Sequence, residues 1–447
     1  MACYEINVNK KYNIPKDIKV VKYQDKYIVI APEFANWIVL NTEVQVAIFN
    51  FFRQNKTIQD ALEFSFINED VNYVVTQLEA RKFCDKVVYS YTDNERSMHL
   101  YLTNKCNLLC PHCYMYSGDS ESNELTTDEI IDLIINYRTI AQGKSITISG
   151  GEPTIREDFD LIVKTASEIG LEVKLLTNGM LLPKERIDKI AKYINSVQIS
   201  IDGYSEESNS LVRGKGHFQR ALTAIEYFVN HGVETSIAMT PPYDILRKHQ
   251  ADYIKFAKQM MKKYSSKKFN LKFSETLSQG REVNPSKEQN KEYSSWVRQI
   301  QMEIYGVEYD LVRLVQTIGN NVITNNCMFG IFSVASNGNV YLCPEIGKLS
   351  SIANIRTHSF SDICKKSLIV EKATSVINII PCKDCELRFI CGGGCRIEEI
   401  PVLVNIDSFE DGIITKNILH RECDSKVKSK FYDLMIRSNE YLYETLD

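Results

Sequence analysis

Thr103-Asn104-Lys105-Cys106-Asn107-Leu108-Leu109-Cys110-Pro111-His112-Cys113-Tyr114 sets three cysteines on one short loop with the spacing CxxxCxxC. Iron-sulfur clusters are ordinarily held by four thiolates, so a triad with no fourth cysteine nearby leaves one iron for a ligand from outside the chain. Taken alone, the spacing also suits a zinc knuckle. The sequence on either side decides between them.

Residues 98–103, directly before the triad, open a series of short β-rich runs that alternate with amphipathic stretches, the pattern of parallel β/α units. Further strands are predicted at 145–149, 172–176, 196–201, 234–239 and 268–274, and six such units make an α/β partial barrel. The clearest helix is predicted over 127–138, where Thr126 and Glu129 form a capping box ahead of the apolar stripe Ile130, Ile131, Leu133 and Ile134. Ligands of parallel sheets gather at the C-terminal strand ends. The triad follows the first strand, Ser149-Gly150-Gly151-Glu152-Pro153-Thr154 the second, Thr177-Asn178-Gly179 the third and Asp202-Gly203 the fourth. Singly, Asn178-Gly179 and Asp202-Gly203 read as tight turns. At the ends of consecutive strands they become candidate cofactor contacts.

The triad and the glycine-rich segment together resemble the radical S-adenosylmethionine superfamily. The resemblance implies a (β/α)6 partial TIM barrel in which Cys106, Cys110 and Cys113 hold a 4Fe-4S cluster and S-adenosyl-L-methionine chelates the open iron. It further implies that the His112 backbone reads the adenine and that Gly150 and Gly151 let the backbone approach the methionine moiety. Glu152 would take the ammonium, Ser200 and Asp202 the ribose, and Arg213 the methionine carboxylate, with Asn178 beside them. A bland reading of Arg213 is a solvated loop arginine.

Seven more cysteines follow, at Cys327, Cys343, Cys382, Cys385, Cys391, Cys395 and Cys423, with Gly338 between the first two. Their spacing resembles the SPASM extension of the same superfamily, which holds two auxiliary 4Fe-4S clusters and brings the total to three. Carried over by position, Cys382, Cys385, Cys391 and Cys423 would ligate the outer cluster, and Cys327, Cys343 and Cys395 the inner one. The inner set has three members because no cysteine lies between Cys113 and Cys327. Cys364 is a weaker candidate for a fourth, its setting reading as helix, and Cys3 and Cys84 match no motif. An open, soft iron suits a substrate thiolate, whose pKa it lowers. A structural zinc site at Cys382, Cys385, Cys391 and Cys395 is the competing reading.

Residues 1–94 read as a separate unit: a hairpin over 18–21 and 27–30, a strand over 37–40, helices over 42–52, 57–64 and 68–83, and a closing wing over 86–89. This order resembles the winged-helix-like domain that binds leader peptides of ribosomally made, post-translationally modified peptides by adding a strand to a sheet edge. A DNA-binding helix-turn-helix is the alternative, but these helices carry few lysines or arginines for phosphate contact. Residues 95–280 would form the barrel, 281–325 a connecting segment and 326–447 the SPASM domain.

With 447 residues, 44% apolar, the chain is too long for a single core. No apolar run is long enough to span a bilayer, and no secretory pattern opens the sequence. Thirteen cysteines therefore read as ligands in a reducing cytoplasmic compartment. A net charge of -4 without a basic block gives no electrostatic case for nucleic acid. The implied activity is peptide maturation, with a thioether formed between a cysteine sulfur and a carbon of another residue. A precursor peptide with a leader and an external donor such as flavodoxin or ferredoxin are the implied partners. Carbon-carbon crosslinking, side-chain oxidation of the sulfatase-maturase type, and an electron carrier without turnover are the alternatives.

Overall fold

The computed structural model describes residues 7–84, 97–306, 329–399 and 419–444. Strand β1 (Lys19–Tyr23) returns through Gln24-Asp25, with Gln24 at φ +54°, into β2 (Lys26–Ala31), and β3 (Asn36–Leu40) adds antiparallel to β2. Helices α1 (Glu43–Phe52), α2 (Ile58–Glu63) and α3 (Asn68–Ala80) follow. Thr42 caps α1 by accepting from the Gln45 amide, and Thr57 with Asp60 makes a capping box at α2. One face of this small sheet packs Val29, Ile38 and Leu40 on Ile48, Phe49, Phe52, Val71, Val74 and Leu78. The expected closing wing at 86–89 lies outside the described residues.

The opposite face of the sheet is also buried. Ile28, Ile30, Trp37 and Val39 pack on Leu387, Ile390, Tyr432 and Met435 from the C-terminal cysteine region. Trp37 Nε1 donates to the Met435 carbonyl at 3.2 Å, and Arg388 lies 3.5 Å from the Asp17 carboxylate. The N-terminal unit is thus a wall of the C-terminal one. Removing residues 1–90 would uncover apolar surface and an arginine beside two of the cysteines.

Among the described residues the main sheet has nine strands, six of them parallel neighbours in chain order. Strands β4 (Ser97–Tyr101), β5 (Ser145–Ser149), β6 (Glu172–Thr177), β7 (Ser196–Ser200), β8 (Glu234–Met239) and β9 (Phe269–Phe273) are parallel, and they match the six predicted runs to within two residues. Sequence reading did not anticipate that β4 is not an edge. Strand β10 (Phe332–Val334) pairs parallel to it and continues antiparallel into β11 (Asn339–Tyr341) and β12 (Ala353–Asn354). These strands are two or three residues long, too short to carry an alternation. Gly338, at φ +85°, turns the β10–β11 hairpin, a conformation that costs glycine little.

Strands β6 to β9 alternate buried with half-buried or exposed residues, whereas Met98–Tyr101 of β4 are buried on both faces. Ile146, Ile148, Val173, Leu175, Val197, Ile199 and Ile237 are buried in the main core, which includes Ile130, Leu133 and Ile134 of α4 (Thr127–Thr139). The other face presents Thr147, Ser149, Lys174, Gln198, Ser200 and Ser236, all only half-buried. Closed barrels fill that side with branched apolar chains. Here it is a polar, open face beneath the strand ends.

Trp37→Ala should lower the stability of the N-terminal unit by about 3–5 kcal/mol, the usual cost of removing a large buried aromatic. Calorimetry checks this. A loss below about 1 kcal/mol would mean that the sheet does not lean on the C-terminal region.

Candidate active site

The cysteine loop is closed by its own backbone. The Cys106 N–H donates to Gly118 O at 2.9 Å, Gly118 N–H to Asn104 O at 3.1 Å, and Cys113 N–H to Cys110 O at 3.2 Å. Glu124 anchors the entry by accepting from Thr103 Oγ1 and the Asn104 amide. The Leu108 N–H points at Cys106 Sγ, 3.4 Å away. Burial pushes the Cys106 thiol up to about 11 and raises Cys110, with neighbouring negative charges adding to both. Without a metal these two thiols are protonated at neutral pH, so loading a cluster must displace protons.

Gly150 and Gly151 fit against this loop. Gly151 N–H donates to Thr103 O at 2.8 Å and Glu152 N–H to Lys105 O at 2.9 Å. A Cβ on Gly151 would lie 2.3 Å from Lys105 O; on Gly150, whose φ is +144°, it would lie 2.5 Å from Thr103 O. The side-chain space at both positions is filled by the cysteine loop.

Glu152 is held by neighbouring amides and hydroxyls. It is fully buried, and Oε1 accepts from Thr154 N, Thr154 Oγ1 and Thr177 Oγ1 while Oε2 accepts from Asn178 N at 2.7 Å. Burial raises its pKa against these bonds. The carboxylate ties the end of β5 to the end of β6. Asn178 in turn donates from Nδ2 to Asn107 Oδ1 at 2.8 Å, reaching the cysteine loop itself.

Asp202, expected at the ribose, is fully buried. Its Oδ2 accepts from Arg213 Nε at 2.6 Å, its Oδ1 from Thr240 N–H at 2.8 Å, and His112 Nε2 lies 3.5 Å from Oδ2. Arg213, at the end of α5 (Glu206–Arg213), is therefore paired with Asp202, in place of the solvated arginine of the bland reading. Burial pulls its pKa down, but Asp202 and the Cys110 and Cys106 charges outweigh that and raise it. The pair thus faces the cysteine loop. Burial lowers the His112 pKa, opposed by Asp202. Ser200 ends β7 and is half-buried.

Several contributors escaped sequence reading. Asn209 is fully buried; its Oδ1 accepts from the Asp202 and Gly203 amides, which turns its Nδ2 toward His217 Nδ1 at 3.0 Å. That assigns the proton to His217 Nε2, which donates to Asn178 O at 2.9 Å. Burial, with Arg213 adding, holds His217 down at about 4. Residues 280–282 clasp the loop from outside. Arg281 donates to Cys110 O and Ser117 O, Glu282 N–H to Pro111 O, and a Cβ at Gly280 would lie 2.5 Å from the His112 carbonyl carbon. No motif announces these residues; they act through distant backbone.

Among the C-terminal cysteines, Cys382, Cys385, Cys391 and Cys423 line one cavity of about 250 Å³. The Leu387 N–H points at Cys385 Sγ at 3.4 Å, and Arg421 Nη1 at Cys391 Sγ at 3.6 Å. Burial pushes the Cys385 thiol up to about 11. Cys395 is exposed and Cys364 sits on the helix Phe360–Ala373 against the main core. Cys343 lies just past β11, beside Tyr101 and Tyr114, whose pKa values burial raises and its charge raises further. Tyr101 donates to the carbonyl of Pro344 at 2.5 Å. Cys3 and Cys327 lie outside the described residues. Among the described residues no three His, Cys, Asp or Glu side chains are set around a single ion. A cluster spreads its thiolates over separate irons, and amide donors on sulfur suit one. The triad and the four-thiol cavity each have one such amide, Leu108 at Cys106 and Leu387 at Cys385.

Comparison with known proteins bears on this geometry. Residues 100–256 match the model of the radical SAM superfamily. The chain is 28% identical over 308 residues to the mycofactocin maturase MftC of Mycolicibacterium smegmatis, covering 66% of this chain and 76% of that one. It is 30% identical over 336 residues to the AdoMet-dependent heme synthase of Methanosarcina barkeri, covering 68% of this chain and 92% of that one. The structure of native anSMEcpe with bound AdoMet shares the fold, with a TM-score of 0.54 at 19% identity over 78% of this chain and 98% of that one.

Gly151→Ala should open the contact between the glycine segment and the cysteine loop, costing about 1–3 kcal/mol as overpacking against backbone does. Alkylation of Cys106 and Cys110 in the metal-free chain should become faster. Unchanged melting and labelling would show that the contact is dispensable.

His217 and His99 are both held near 4 by burial, against an unfolded value near 6.5. Between those values the unfolded chain binds more protons, so stability is full above pH 6.5 and falls as pH drops toward 4, by up to about 3 kcal/mol per group. Urea midpoints at pH 7.5, 6 and 5 should decline in that order, less steeply for His217→Gln. A flat profile would contradict the neutral, buried assignment.

Proposed function

Because the chain belongs to the radical SAM superfamily, we propose that it is a cytoplasmic peptide maturase that joins a cysteine sulfur to a carbon of another residue as a thioether. The observation that carries this reading is the pairing, on one chain, of the triad at the end of β4 with a separate cavity lined by Cys382, Cys385, Cys391 and Cys423. Similarity to a protein named a maturase supports a maturation reaction.

On this reading Cys106, Cys110 and Cys113 hold the cofactor-binding cluster, the four-thiol cavity the outer auxiliary cluster, and Cys327, Cys343 and Cys395 the inner one. When bound, the clusters and S-adenosylmethionine supply reductive cofactor cleavage and hydrogen abstraction, with the electron coming from an external donor such as flavodoxin or ferredoxin. The chain's own residues position and shield. Asn178, Asn107 and the Asp202–Arg213 pair fix the cysteine loop, and residues 280–282 keep it from opening. The half-buried face of Thr147, Lys174, Gln198 and Ser236 offers a polar chamber that suits a peptide better than an apolar substrate. Three cysteines at the inner site leave one position for a substrate sulfur, so no protein base is required. The N-terminal unit would hold the leader by strand addition. The outer edge of β3 is engaged from α3, by Arg81 Nε on Trp37 O and Gln77 Oε1 on Val39 N–H, whereas β1 has no strand beyond it among the described residues.

Reconstitution under anaerobic conditions tests the proposal. The intact chain should carry roughly twelve irons and release deoxyadenosine on reduction, and Cys106, Cys110 and Cys113 changed together to alanine should lose about a third of the iron and all of that release. The peptide product should be lighter by two hydrogens and have lost one alkylatable thiol. Loss of hydrogens with the thiol retained would replace the thioether with a carbon-carbon link. Deoxyadenosine release by the triple variant would overturn the assignment altogether.

A further inference from the structure

The cavity of Cys382, Cys385, Cys391 and Cys423 is lined by charged side chains as well as thiols. Its lining also carries Asp384, Arg388, Arg421 and Lys428. Arg388 is turned toward Asp17 at 3.5 Å and Glu33 at 4.0 Å, and Lys428 lies 2.8 Å from Glu386. Arg421 Nη1 lies 3.6 Å from Cys391 Sγ.

Arg421 is also held in place. It is 7% exposed, and its backbone N–H donates to Ile380 O at 2.9 Å, continuing the parallel pairing of Ile379–Ile380 with Leu419–His420. That two-strand ladder ends at Pro381-Cys382 on one side and at Arg421, two residues before Cys423, on the other. The strand pairing that delivers two of the thiols therefore delivers the guanidinium with them. A solvent-exposed cation would be screened and entropically free; this one is neither.

We infer that Arg421 sets the reduction potential of the outer cluster, holding it higher than four thiolates alone would. The inference rests on the reading that these four cysteines hold a 4Fe-4S cluster. Reduction adds one electron to a centre that is already anionic, so a buried cation hydrogen-bonded to one of its sulfurs favours the reduced state. Arg421 touches the cluster's ligand and not the substrate, so it is a positioning residue that acts through potential. An outer cluster held high is the downhill destination for an electron leaving the barrel.

The test is a potentiometric titration followed by EPR on the full chain with Cys106, Cys110 and Cys113 changed to alanine, using dithionite as reductant. The signal that disappears in a Cys382→Ala, Cys385→Ala variant identifies the outer cluster. If that variant loses no iron, the cluster reading itself has failed, and this is known before any potential is compared. Given the signal, Arg421→Met should lower the reduced-to-oxidised ratio at a fixed potential about tenfold, which for one electron is about 59 mV, with iron content unchanged. Arg421→Lys should recover most of the shift. An unmoved signal in Arg421→Met, or a Lys variant displaced as far as the Met variant, would overturn the inference. Should Arg421→Met not load, Arg421→Gln takes its place. Failure of all three to load would assign Arg421 to folding alone and overturn it equally.

Discussion

Two loops approach each other at backbone distance where Gly150 and Gly151 meet Thr103, Asn104 and Lys105, and the candidate active site depends on that contact. A single Cβ would fall within 2.3 Å of a carbonyl there. Because the space is filled by backbone, no side-chain rotation can relieve a substitution. The contact brings the end of β5 against the loop leaving β4, and Glu152 passes the constraint on to β6 through its four donors. Asn178 closes the circuit by returning to Asn107. Three strand ends and the cysteine loop are thereby one hydrogen-bonded unit, with Thr103, Glu152, Thr154, Thr177 and Asn178 buried at its centre.

Such a unit is costly to leave partly satisfied, since each buried polar group without a partner forfeits its hydration. Asp202 and Arg213 show how the cost is met: the two opposite charges lie 2.6 Å apart, and the Thr240 N–H donates to the remaining carboxylate oxygen. Breaking a pair of this kind by removing one member is far worse than never having it. The arrangement serves rigidity of the site more than stability of the fold.

Much of this was legible in the sequence. The six parallel strands announced themselves through β-rich runs with strand-end motifs, and the cap of α4 through Thr126 and Glu129, because both are local signals. Cys382, Cys385, Cys391 and Cys423, the set that the SPASM resemblance groups, line one cavity. What stayed hidden was non-local. Strands β10 to β12 have too few residues to show a period, and they owe their existence to the edge that β4 would otherwise expose. Gly280 and Arg281 bear on His112 and Cys110 across some 170 residues, and nothing in their own neighbourhood marks them. The partners that Gly151, Glu152 and Asp202 find within the chain, the Thr103 carbonyl, the Thr177 hydroxyl and the Arg213 guanidinium, come from other segments and leave no local signal. A motif names which residues matter more readily than it names what they touch.

The burial of Trp37 against Met435 links two points 398 residues apart in the chain. At translation rates of about 5–20 residues per second, roughly 20 to 80 seconds separate their synthesis. During that interval Ile28, Ile30, Trp37 and Val39 form an apolar sheet face whose cover has not yet been made. The nascent chain therefore emerges with its first unit incomplete, in need of a chaperone or of sheer delay, and the finished seam closes only when the last helix arrives. A wall of the four-thiol cavity is completed in the same moment.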